Sequence, residues 1–169
     1  MEIRLIILWL PNLSSGLLPK PRRSRVLLVL GLIIASPVVY WLASPLFTNI
    51  AVDEALPPST GPVLSTIATG AFVDADSFHQ TSGTATVLRA TNESLFVRLT
   101  NFKTTNGPDL FVVLSTDRSG KNIVYLGGLK GNIGDQNYFV PSNADLSHYK
   151  YVLIWCRTFS VLFGSAELS

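Results

Sequence analysis

The chain has 169 residues, 47% of them hydrophobic, and a formal net charge of +2, which is long and apolar enough for one domain with a buried core. The charge is split: residues 1–47 carry five basic side chains against one acidic, and residues 48–169 carry eight against ten. Basic character is confined to a short N-terminal cluster, so a nucleic-acid-binding face has no electrostatic support.

In chain order, the first element is a short segment, residues 1–25, ending in the basic run PRRSR. Its apolar stretch IILWL, 6–10, is too short to span a bilayer. The run VLLVLGLIIASPVVYWLASPLF, 26–47, has 22 residues and no charge, and a membrane-spanning helix needs about 20 such residues. Tyr40 and Trp41 sit toward its far end, where aromatic rings suit the headgroup layer. Pro37 does not forbid a span. The expectation is one N-terminal transmembrane helix over 26–47 in a single-pass cell-membrane protein. By the positive-inside rule, 1–25 would be cytoplasmic and the C-terminal part extracytoplasmic. A cleaved signal peptide is the alternative, with small residues Ala43 and Ser44 near the end of the run, although signal-peptide apolar regions are about 7–15 residues long. Either way the membrane is the first expected partner. Residues 48–66 contain DEALPPSTGP and read as a linker.

Residues 67–169 form the expected folded domain. Its apolar runs are short, rich in β-branched and aromatic residues, and separated by Gly, Asn, Asp and Pro. Eight strands are predicted at 66–73, 83–90, 94–102, 109–115, 122–127, 137–141, 151–156 and 160–168. In SLFVRLTNF, Leu95, Val97 and Leu99 alternate with Phe96, Arg98 and Thr100, the pattern of a strand with one wetter face. No long helical period follows residue 66, and NADLSHY, 143–149, supplies one short turn at most. The fold class is therefore all-β, a compact β-sandwich or sandwich-like barrel.

The lone cysteine is Cys156, in YVLIWC. Strand periodicity puts Val152, Ile154 and Cys156 on one face and Tyr151, Leu153 and Trp155 on the other. Both faces are apolar, so the strand should be covered on both sides. A free cysteine there behaves as a small hydrophobe. In an exported chain, however, cysteines normally pair, so a single one must be buried, bridged between chains or used chemically. Arg157 adjoins it and would lower the thiol pKa only where a bulge turned both side chains the same way.

The other chemistry-bearing residues are sparse. His79 and His148 have no partners at metal-ligand spacing, and one cysteine excludes covalent c-type haem. Asp74 and Asp76, in DADS, suit a solvated turn better than a calcium loop, since the rest of an EF-hand pattern is missing. GGLKGNIGDQNY, 127–138, is not a phosphate-binding loop, and its glycines serve backbone turns. Asn92-Glu93-Ser94 is a glycosylation sequon. No GxSxG, HExxH or paired-carboxylate signature is present.

Four blocks, GAFVDADSFHQTSGTATVL (70–88), LTNFKTTNGPDLFVVLS (99–115), YLGGLKGNIGDQNYFVP (125–141) and YVLIWCRTFSVLFGSAEL (151–168), resemble the DM-thirteen domain. That domain is described as an electron-transfer domain, found beside DOMON domains in animal proteins and in bacterial membrane-anchored or secreted proteins. The resemblance implies a compact β-rich domain outside the cytoplasmic membrane with a redox or electron-transfer role. It puts the family's characteristic cysteine at Cys156, its histidine at His79 and its GPD aspartate at Asp109. On that basis Cys156 is the candidate redox residue. Trp155, Phe159 and Phe163 would shape an apolar pocket around it, and Arg157 and Asp109 would tune its charge. His79, Asp109, Trp155, Arg157 and Phe159 are thus the candidate cofactor-binding residues, for a cofactor left unidentified and no metal. No DOMON or cytochrome module lies within the sequence, so the electron partner would be a separate extracytoplasmic redox protein. The alternative is a non-catalytic envelope module, binding or structural, with an inert buried cysteine.

Overall fold

The computed structural model describes residues 22–44, 47–56 and 65–169. The IILWL stretch, with the rest of 1–21, and the later part of the expected linker, 57–64, lie outside the described residues. The chain divides into two compact units with the boundary after Tyr40.

The helix α1 covers Arg22–Ala43 and contains Pro37. It corrects the expectation of a transmembrane helix over 26–47. Among the described residues no helix is long and apolar enough to cross a membrane. One sequence feature shortens the helical part of the apolar run: Pro45 disfavours helical backbone at Ser44. The amides of Phe47 and Thr48 both bond back to the Ser44 carbonyl, closing a turn instead of extending the helix. The uncharged helical part, 26–43, is about 27 Å long, against a hydrocarbon core of about 30 Å. The single-pass cell-membrane localisation, the membrane partner and the extracytoplasmic placement rested on that span and lose their support with it.

The second unit carries eight strands, all within two residues of the predicted limits. They are β1 Ser65–Asp74, β2 Thr81–Arg89, β3 Leu95–Thr104, β4 Leu110–Ser115, β5 Ile123–Gly128, β6 Gln136–Val140, β7 Tyr151–Cys156 and β8 Val161–Glu167. All pairings are antiparallel, in the order β5-β4-β7-β8-β1-β2-β3-β6. β1 joins the two halves: Ser65–Ala71 pair with β2, and Phe72–Asp74 pair with β8. The end strands β5 and β6 approach one another where the Tyr138 ring packs on Gly127. The result is a nearly closed barrel, which covers most of the strand edges. The NADLSHY stretch holds only turns.

The core fills the interior. Val97 and Leu99 of β3, Val112 and Leu114 of β4, and Val152, Ile154 and Cys156 of β7 meet there, with Phe72 edge-on to Phe102. Each such aliphatic side chain contributes about 1.5–3 kcal/mol on burial. β7 alternates as its sequence requires. Leu153 and Trp155 leave the main core and form a second buried cluster with Val113 on the outer side of the sheet. There Gly120, with φ +68°, lies so close under the Trp155 indole that an added Cβ would come within 2.5 Å of it.

Residues 50–55, the beginning of the expected linker, lie along the domain. Val52 N donates to Ile133 O at 2.9 Å, and Ile133 N donates to Ile50 O at 3.2 Å. The Glu54 carboxylate accepts Lys130 Nζ at 2.7 Å and Asn137 N at 2.8 Å. Gly134, φ +100°, is required here, because a side chain would collide with the Val52 carbonyl.

Candidate functional site

Three turns converge at one end of the barrel: 75–80 between β1 and β2, 105–109 between β3 and β4, and 157–160 between β7 and β8. The first is set by Asp76. Its Oδ1 accepts the amides of Phe78 at 2.7 Å and His79 at 2.8 Å, and its Oδ2 lies 2.8 Å from His79 Nδ1. This is an Asx-type turn, and the bond with the His79 ring, supported by the two amides, holds the Asp76 pKa down at about 2. The His79 ring also leans on Phe163, with centroids 4.4 Å apart. Phe78, in the middle of the turn, is left 83% exposed.

The third turn is fixed by Asp109. Arg157 Nε donates to its Oδ2 at 3.1 Å, Thr158 Oγ1 donates to the same oxygen at 2.7 Å, and Arg157 N donates to the Asp109 carbonyl at 3.0 Å. The Thr158 hydroxyl and then the Arg157 guanidinium lower the Asp109 pKa. The guanidinium also stacks over Phe111, 4.3 Å from the ring centroid. Ser160 takes a left-handed φ of 53°, closing the turn beside Phe159.

Between these turns lies a pocket of about 300 Å³. Phe78, His79, Cys156, Phe159, Val161 and Phe163 line it, with the backbone-rich stretch Thr105–Pro108 on the far side. Cys156 is the buried end of this wall, only 1% exposed, while Phe159 stands at the mouth, 66% exposed.

The structure thus gathers Cys156, His79 and Phe159 around one pocket. Asp109 and Arg157 lie together just outside it, bonded to one another, and Trp155 belongs to the outer cluster of the sheet. Phe163 lines the pocket. Phe78 and Pro108 were not anticipated. The one cue was an apolar ring in the polar turn DSFHQ, where solvent exposure needs a reason. His148 sits apart, in an exposed turn with its Nδ1 2.9 Å from Asp145 Oδ2.

These positions bear on the redox role expected of Cys156. The thiol is enclosed in the main core, the neighbouring guanidinium is held by Asp109 and Phe111, and the His79 Nδ1 is held by Asp76. Among the described residues no group of three or more His, Cys, Asp or Glu is placed to hold a metal ion. Export also supplied the reason why an unpaired cysteine should need chemical use, and the helix that carried that premise does not reach across a membrane. The membrane-anchored redox role centred on Cys156, with its extracytoplasmic redox partner, is therefore corrected. The findings favour the alternative of a non-catalytic module with a buried cysteine.

No curated protein and no solved structure matches the chain. A family profile described as "Electron transfer DM13" matches residues 72–168, from near the end of β1 to the residue after β8. The matched span includes every turn that builds the pocket and more than half of the sequence, and the chain belongs to the electron transfer DM13 family.

Proposed function

We propose that the domain is a non-catalytic binding module, and that the pocket at the turn-bearing end of the barrel accepts an apolar group of its ligand. The observation that carries this is the exposure of Phe78 and Phe159 at the mouth of a pocket whose deeper wall is apolar. Large rings left in water beside a cavity are costly unless something covers them, and apolar pockets with a few polar groups are the usual form of a ligand site. Phe159 and Phe163 supply contact area. His79, oriented by Asp76, supplies the polar edge. Asp109 and Arg157 hold the turn that carries Phe159, and Trp155 holds β7 from its outer face. Cys156 acts as a packed wall, in keeping with its burial.

The test uses indole as an apolar probe in an amide-resolved NMR titration of the full chain. Shifts should cluster at 78–79, 106–108 and 159–163. Phe159→Ala should abolish them without changing the unfolding midpoint, and Cys156→Ala should retain them. Native Cys156 should resist a small alkylating reagent until the chain is unfolded. Rapid alkylation of the folded protein, or indole shifts scattered over the surface, would overturn the reading.

A further inference from the structure

Beside the apolar pocket, and sharing Thr105 and Asn106 with it, lies a larger cleft of about 640 Å³. Its size is that of a small-molecule site, and its chemistry is the opposite of its neighbour's. All ten residues lining it carry polar side chains, with one acid, Asp74, balanced by one base, Lys103.

Part of this polarity is already consumed by the fold. The Thr81 and Thr104 hydroxyls bond to one another at 2.8 Å, and Thr81 Oγ1 donates to Phe163 O at 2.9 Å. Asn49 Oδ1 accepts Asn132 Nδ2 at 2.9 Å and Asn106 Nδ2 at 3.2 Å, so a residue upstream of the family match completes the wall. What remains is a mixed set. Among the described residues the Gln80 amide, the Ser82 hydroxyl and Lys103 Nζ have no hydrogen-bond partner, and Asp74 engages only Oδ1, with Thr81 N. The Thr105 hydroxyl, in the ridge between cleft and pocket, is buried with no partner at all. A buried unpaired hydroxyl costs about 1–3 kcal/mol.

The inventory selects a ligand class. Donors and acceptors are interleaved, so the ligand must offer groups that do both, as hydroxyls do. A dianion would find one lysine opposed by one aspartate, and a metal ion would find one carboxylate. An apolar peptide side chain would find no apolar side chain among the lining residues. We propose that the cleft is a binding site for a neutral saccharide, held by Gln80, Ser82 and Asn106. This rests on the domain being a binding module but not on the apolar pocket being occupied.

The experiment is an amide-resolved NMR titration of the full chain with maltose, cellobiose and N,N′-diacetylchitobiose, with inorganic phosphate and indole as controls. At least one saccharide should give saturable shifts at Ser82, Thr105 and Asn106. The double variant Gln80→Ala, Ser82→Ala should weaken that binding about tenfold with an unchanged unfolding midpoint, since both side chains are exposed. Phe159→Ala should leave it unaltered. Absence of shifts with all three saccharides, shifts that persist undiminished in the double variant, or saturable binding of phosphate alone would each overturn the proposal. Indole shifts at the pocket with a silent cleft would overturn the saccharide site and leave the binding-module reading standing. Saccharide shifts with a silent pocket would do the reverse for the pocket.

Discussion

On the outer face of β7, Leu153 and Trp155 are sealed by Val113 and by the turn that carries Gly120. On the inner face, Ile154 and Cys156 belong to the main core, and that core ends at an open pocket. Trp155 and Cys156 are neighbours in sequence and both buried, at 8% and 1% exposure. Their surroundings differ because adjacent strand residues face opposite ways. The indole is locked on its exposed edge by a backbone that fits it only at glycine. The thiol borders a space lined by three separate turns. Burial alone therefore does not identify a site; what lies beyond the buried atom does.

The comparison can be broken most forcefully at the indole. Trp155→Ala should cost about 3–5 kcal/mol, read as a lower urea midpoint, because the outer cluster would lose its largest member. Gly120→Val should approach that from the other side, at about 2 kcal/mol, since it combines a left-handed φ with a clash against the ring. If Gly120→Val were neutral, the turn would not be what seals the outer face. Cys156→Ala should cost less, about 1–2 kcal/mol, as a small side chain beside existing space is lost. A cost as large as that of Trp155→Ala would show that the pocket is effectively closed in solution. Phe159→Ala should lie within about 0.5 kcal/mol of the parent, because the ring is at the surface.

Both sides carry a turn with an acid limit: Asp76 on the pocket side, and Asp117, whose Oδ1 accepts Ser119 N at 2.7 Å, in the turn that carries Gly120. The lowered Asp76 pKa means that its bonds to His79 and Phe78 favour the folded turn above the ordinary carboxyl value near about 3.9. That contribution should fade as the pH falls toward about 2. The Phe78 and His79 amide shifts should show an inflection at that low value and lose it in Asp76→Asn. An inflection at the ordinary value would mean that the Asx-type turn is not formed in solution.

Much of the barrel was legible because its signals are local. Leu95, Val97 and Leu99 announce β3 by alternation, and YVLIWC announces a strand covered on both sides by having no wet face at all. Cys156, His79 and Phe159 were named together only through family resemblance, since 77 positions separate His79 from Cys156 in the chain. The apolar run at 26–47 was legible as apolar but not as to length of helix, which depends on the turn that the Phe47 and Thr48 amides close on the Ser44 carbonyl. The 50–55 segment looked like linker because its attachment to Ile133 and Asp135 is made by backbone groups, which every residue carries.

By itself the sequence determined the strand count, the two faces of β7 and the single thiol on the inner one, because a period of two and β-branched composition act over a few residues. Only the tertiary structure decided which neighbours those faces meet. Turns from three distant parts of the chain are brought to one end of the barrel by strand pairing, and an apolar pocket and a polar cleft are set side by side there. Long-range pairing, not local propensity, positions both.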